Sequence, residues 1–240
     1  MREKQMIWKK MRYVSDYNSY MKQPYVINFL GDSITEGIGA DCPENVYSTV
    51  CCRLAKAKEG NYGLSGSRIA KQRVNAKNNP DEEFILRARW MNPCDFLFVF
   101  GGTNDFGHGD AELGQMGDTT RWTFYGALHE LIQYLLTKKG LRREQICFII
   151  PTPRQDEDSV YGDGCKCWKE FPVLEEYRDA IRRECDAFGI DYFESKLPAP
   201  PKGFEGPSEF FVDGLHPSTK GHIQLGTELY EYLKKKGLAE

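Results

Sequence analysis

Ser33 follows the apolar run Tyr25–Leu30 inside Gly31-Asp32-Ser33-Ile34-Thr35-Glu36-Gly37, and Asp213-Gly214-Leu215-His216-Pro217 sets a carboxylate three residues before an imidazole near the other end of the chain. A hydroxyl, a ring base and an orienting acid are the parts of a nucleophilic acyl-transfer site. A serine hydroxyl at its ordinary pKa is a weak nucleophile, so the two segments matter only if the fold joins them. The first has the right form for this, because an apolar run that ends in a glycine-containing turn can present a side chain at the edge of a sheet.

Four histidines are available as base: His108, His129, His216 and His222. His129 falls beside the apolar stripe of an amphipathic stretch and reads as a helix-flank residue. His222 follows Gly221 within the last helical pattern, where a packed or solvated role is the default. His216 differs, because Asp213 shares its Gly- and Pro-containing loop. The carboxylate would accept the Nδ1 proton, fix the tautomer and leave Nε2 to take the Ser33 proton. Activity is then expected to fall as the imidazole becomes protonated. Alone, an Asp-x-x-His segment equally describes a turn residue followed by a surface imidazole.

An oxyanion needs donors fixed before reaction. Asn104, in Gly101-Gly102-Thr103-Asn104-Asp105, lies directly beyond an apolar strand-like run and can donate its side-chain amide. Gly66 can offer a backbone N–H that no side chain obstructs, with the N–H of Ser33 as a third donor. Each also has a local alternative: a bond from Asn104 to its own turn, and a positive-φ bend at Gly66.

Together these segments resemble the SGNH (GDSL-type) hydrolase family, through Gly31-Asp32-Ser33, Gly66, Gly102-Thr103-Asn104-Asp105 and Asp213-Gly214-Leu215-His216-Pro217, in the family's order. The resemblance runs from about Tyr25 to the last helix. It implies a three-layer α/β/α, flavodoxin-like fold, with Ser33 as nucleophile, His216 as base, Asp213 as orienting acid, and Ser33, Gly66 and Asn104 as oxyanion donors. The implied two-step acyl transfer requires no metal or organic cofactor. Ile34 stands where the family name places Leu, an apolar exchange that leaves the chemistry untouched.

The elements that must position these residues alternate along the chain. Strands are expected at Tyr25–Leu30, Asp95–Phe100, Ile146–Ile150 and Ile190–Phe193, and helices at Val46–Lys58, Asp81–Met91, Thr120–Lys139, Leu174–Phe188 and Lys220–Lys236. Gly60 to Gly66 reads as turn-rich. Such alternation predicts a parallel sheet with helices on both faces, and ligands bind such sheets beyond the carboxyl ends of the strands. The loops beginning at Gly31, Gly63, Gly101, Pro151 and Glu194 therefore matter most.

A chain of 240 residues fits a single domain over residues 24–240, with residues 1–23 as a basic, aromatic N-terminal extension outside the resemblance. A net charge of -3 gives no field to favour nucleic acid or an anionic bilayer, so neither is expected as a partner. No run approaches the roughly 18 to 20 apolar residues of a membrane span, and no secretory h-region appears, so a soluble, cytoplasmic protein is expected. Its eight cysteines are then expected as reduced thiols. Cys165 and Cys167 form a Cys-x-Cys pair without a second ligand pair, and no metal site is expected there.

The loops shape the expected substrate. Phe106 to Thr119 is rich in Gly and acids, and Thr152 to Phe171 mixes charges with Tyr161 and Trp168. Neither resembles an apolar lid, and aromatics among polar groups suit a sugar, so a short acyl, acetyl in particular, on a carbohydrate or other polar alcohol is favoured. Phe106, His108, Tyr161 and Trp168 are the expected substrate-binding residues. A lysophospholipase or acyl-thioesterase would use the same catalytic residues, and a non-catalytic binding protein would have no need of His216.

Overall fold

In a computed structural model, described here for residues 25–72, 83–160, 172–201, 203 and 206–239, five parallel strands form one sheet. They are β1 (Val26–Gly31), β2 (Lys58–Gly63), β3 (Phe96–Phe100), β4 (Ile146–Ile149) and β5 (Asp191–Phe193), in the order β2-β1-β3-β4-β5. This is the flavodoxin-like doubly wound order, with its switch point between β1 and β3. The helices are α1 (Ser33–Glu36), α2 (Tyr47–Leu54), α3 (Phe84–Ala88), α4 (Thr103–His108), α5 (Phe124–Thr137), α6 (Leu174–Phe188) and α7 (Thr219–Lys235).

Strand periodicity divides the core. Phe96, Phe98 and Phe100 of β3 join Ile27 and Phe29 of β1 on the face covered by α2 and α7. Leu97 and Val99 join Leu30 and Phe148 on the face covered by α3, α5 and α6. Successive strand side chains point to opposite faces, so a strand buried on both must be apolar throughout, as β3 is. The three-layer α/β/α arrangement expected from alternation is the one observed.

Three differences from the sequence reading have physical causes. Residues 60–63 belong to the edge strand β2, paired to β1 from Val26↔Lys58 to Gly31↔Gly63. Its glycines serve close approach and not a turn: a Cβ at Gly60 would lie 2.1 Å from Asn28 Oδ1, and one at Gly63 would lie 2.1 Å from the Glu36 nitrogen. Helix α2 stops at Leu54 because the chain turns at Ala55 and then at Lys56, whose φ is 52°. The segment after Gly102 folds as the short helix α4.

Helix ends elsewhere follow capping chemistry. Thr123 Oγ1 accepts the Gly126 N–H at 3.3 Å to start α5, and Ser218 Oγ accepts the Gly221 N–H at 3.3 Å to start α7. The six cysteines among the described residues are free, and burial pushes the Cys147 thiol up to about 12. Among the described residues no helix is long and apolar enough to cross a membrane. Residues 1–23, Tyr161, Cys165, Cys167 and Trp168 lie outside the described residues.

Candidate active site

Ser33 opens α1 directly beyond β1, and the turn is built to hold it. Asp32 caps the helix, its Oδ1 accepting the Ile34 N–H at 3.0 Å. Past the helix Gly37 takes a φ of 110°, and the N–H groups of Gly37 and Ile38 both donate to the Ser33 carbonyl at 3.0 Å. Gly31 must lack a side chain because a Cβ there would fall 1.9 Å from Thr35 Oγ1.

The Asp-His loop reaches Ser33 from the N-terminal side of α7. Ser33 Oγ lies 2.9 Å from His216 Nε2, and His216 Nδ1 lies 2.7 Å from Asp213 Oδ2. A carboxylate only accepts, so Nδ1 carries the proton and Nε2 is left to accept from the Ser33 hydroxyl. Asp213 Oδ1 also accepts the N–H groups of Leu215, at 2.9 Å, and His216, at 2.6 Å. Partial burial pushes the Asp213 carboxyl up, but the His216 and Leu215 donors outweigh it and hold the group below its ordinary range. The loop is closed by a bridge between Phe211 and Pro217 and by the Gln155 N–H donating to the Gly214 carbonyl at 2.6 Å.

Beyond the edge strand β2, the loop carrying Gly66 is pinned at several points. Gly66 has a φ of 73°, a conformation glycine adopts freely. The neighbouring Ser67 carbonyl accepts Asn104 Nδ2 at 3.1 Å, and Ser67 Oγ accepts Arg87 Nη2 at 2.8 Å. Arg87 also donates to the Tyr62 carbonyl. Asp105 accepts the N–H groups of Ile69 at 3.0 Å and Ala70 at 2.9 Å. Asn104 is buried, and an amide carries two N–H bonds, so one remains to donate after Ser67 is served.

The structure thus joins Ser33 to His216 and Asp213, and Asn104 to the Gly66 loop. Phe106 corrects the sequence reading: its ring is fully buried against Tyr177, at 6.2 Å, and under the Arg154 guanidinium, at 5.3 Å, so it belongs to the core and cannot line a substrate pocket. An α4 turn with Asn104 facing the Gly66 loop sends the residue two positions on toward α6. His108 ends α4, half-buried.

Four residues to which the sequence reading gave no part in the site surround it. Asp32 is 1% exposed, and burial, with Asp105 adding to it, pushes its carboxyl up to about 6 against the Ile34 N–H, His216 and Arg87. Arg87, Asp105 and the buried His222 complete the group; these three are revealed by partners distant in the chain, and periodicity does not show them. Among the described residues no group of three His, Cys, Asp or Glu side chains is placed to hold a metal ion.

The chain matches the model of the GDSL-like lipase/acylhydrolase family over residues 29–223. No curated protein matches it. Among solved structures, a Lactobacillus plantarum protein is similar with a TM-score of 0.68 and 28% identity, over 89% of this chain and 98% of that one. Est24, a carbohydrate acetylesterase from Sinorhizobium meliloti, is similar with a TM-score of 0.61 and 16% identity, over 88% and 99%. A carbohydrate acetylesterase family member from the same organism gives 0.58 and 16%, over 88% and 98%.

Proposed function

Since this chain belongs to the GDSL-like lipase/acylhydrolase family, and so is a hydrolase, we propose that it is a serine esterase acting on short-chain, acetyl in particular, esters of a carbohydrate or other polar alcohol. The observation that carries the reading is the 2.9 Å approach of Ser33 Oγ to a His216 ring held at 2.7 Å by Asp213. In the proposed first step Ser33 Oγ attacks the ester carbonyl while His216 Nε2 takes its proton. The carbonyl oxygen becomes an oxyanion, met by the Ser33 and Gly66 N–H groups and the free N–H of the Asn104 amide. His216 then gives its proton to the leaving alcohol, and an acyl-serine remains. Water, deprotonated by the same ring, releases the acid and restores Ser33. Asp213 stays ionised throughout, fixing the tautomer and offsetting the imidazolium charge.

The acetyl reading is supported by the fold likeness to two carbohydrate acetylesterases and by the Gly- and acid-rich sequence of the segment that follows Asn104. A long-chain acyl ester is the second reading, supported by Ile38 and Val212, 43% and 36% exposed in the segments that follow Ser33 and precede Asp213. Labelling by a fluorophosphonate probe, lost in Ser33→Ala and weakened in His216→Ala, tests the mechanism. Hydrolysis of acetylated sugars, aryl acetates and lysolipids compared side by side tests the substrate: a rate rising with acyl length would reject the acetyl reading.

A further inference from the structure

We propose that His222 is a positioning residue for catalysis: its ring latches the turn that follows Ser33 to the same helix terminus that carries His216, and so sets the distance between nucleophile and base. The inference rests on the Ser33 esterase reading and concerns a ring that never touches the reacting atoms.

His222 is fully buried in the first turn of α7, its N–H donating to the Ser218 carbonyl at 2.8 Å. Its Nε2 lies 3.0 Å from the Ile38 carbonyl and its Nδ1 accepts the Tyr47 N–H at 3.3 Å. Only the neutral ring with the proton on Nε2 serves both partners, since a carbonyl needs a donor and a backbone N–H needs an acceptor. Burial favours that uncharged form.

Two hydrogen bonds then run from this ring to the nucleophile. His222 donates to the Ile38 carbonyl, and the Ile38 N–H donates to the Ser33 carbonyl at 3.0 Å. In the other direction Ser218 links His222 to the loop that ends at His216 and Pro217. The same turn meets the loop before α7 and the first residue of α7 at two flanking points: a Cβ on Gly39 would lie 2.1 Å from the Pro217 carbonyl, and the Asp41 N–H donates to Thr219 Oγ1 at 2.9 Å. The Asp41 contact is exposed to water, whereas His222 is sealed against Tyr47, whose ring lies 6.1 Å away and nearly parallel. Tyr47 in turn bonds Thr35 of α1 through its hydroxyl at 2.8 Å. Gly226 permits this closeness, because a Cβ there would lie 2.5 Å from the Tyr47 carbonyl.

Side-chain replacement separates the two bonds. In His222→Gln the amide nitrogen can take the place of Nε2 and keep the Ile38 bond. In His222→Asn the amide oxygen can take the place of Nδ1 and keep the Tyr47 bond alone. We expect His222→Phe and His222→Asn to lose about tenfold in kcat on an aryl acetate and in the rate of Ser33 phosphonylation, the worth of one buried hydrogen bond, with KM within about twofold. His222→Gln should recover most of that loss, with folding followed by thermal unfolding in every case. Equal rates in the Gln and Asn variants, a wild-type rate in the Phe variant, or failure of both amide variants to fold would overturn the proposal in favour of a packing role. Ser33→Ala, run alongside, keeps the readings apart: ester hydrolysis surviving in that variant rejects the esterase itself, not the latch alone.

Discussion

Glu36 and Ser65 are joined twice: Oε2 of the carboxylate accepts the Ser65 backbone N–H at 2.7 Å and the Ser65 hydroxyl. Glu36 ends the helix that Ser33 begins, and Ser65 directly precedes Gly66. One exposed carboxylate therefore ties the nucleophile turn to the loop offered as an oxyanion donor. Glu36→Ala is expected to lower kcat by about threefold to tenfold while changing stability by less than about 1 kcal/mol, because the bonds lie in water but fix two segments that the proposed mechanism uses. Steady-state kinetics beside a denaturant titration checks this. A large stability loss with unchanged kcat per folded molecule would show that the tie serves the fold alone.

Removing the Asn104 amide should act mainly on the chemical step. A donor aimed at developing charge contributes about 10²- to 10³-fold in kcat in acyl transfer. Asn104→Ala is expected to lose about that factor with a smaller change in KM. The Ser67 carbonyl would also lose its partner, so stability should fall by about 1 kcal/mol. Fluorophosphonate labelling of Ser33 should slow in step with kcat, and labelling at the wild-type rate would remove Asn104 from the oxyanion site.

The legibility of this site was uneven, for a physical reason. The strand β3 and helices α5, α6 and α7 could be read because their burial imposes a period on the residues. Ser33, Asn104, Asp213 and His216 could be singled out as candidates because the proposed chemistry restricts residue type and each follows a strand or precedes a helix; the fold brings Ser33, His216 and Asp213 within hydrogen-bond reach. β2 escaped because an edge strand is held by main-chain hydrogen bonds, and its glycines look like turn signals although they answer contacts with Asn28 and Glu36. Phe106 was misplaced because four residues of helix after Gly102 decide which way its ring points, and nothing in the local sequence announces that turn. His222 passed for an ordinary helix residue because both its partners, Ile38 and Tyr47, are distant in the chain.

Asp213→Asn tests the orienting acid. The donors that hold this carboxyl below its ordinary range come from His216 and Leu215, so the ionised form is favoured in the fold. By linkage its contribution to stability is present above the ordinary carboxylate pKa and lost as pH falls through the lowered folded value. At neutral pH that contribution is present, but solvent screening keeps it small for so exposed a side chain, so Asp213→Asn should cost little stability, whereas an amide cannot impose the tautomer. A kcat reduced by about two to four orders of magnitude is expected. Retention of more than about a tenth of the wild-type kcat would assign the orientation of His216 to another group.

Asp32 should give the opposite pH signature. Burial lifts its carboxyl from 3.8 to about 6, so the folded state holds a proton that the unfolded chain releases at lower pH. Between those values the native state binds more protons, and stability falls as pH rises; the favourable contribution is complete below about 3.8 and gone above about 6. At pH 8 the ionised group costs the fold up to roughly 3 kcal/mol relative to the unfolded chain, the linkage value of a shift of this size. Asp32→Asn keeps an acceptor for the Ile34 N–H and removes the buried charge. Its thermal midpoint is expected to exceed that of the wild type most at pH 8 and to converge with it as pH drops through 6 toward 4. A difference that stays constant across that range would mean that Asp32 does not titrate there, and would locate the effect in the cap hydrogen bond instead.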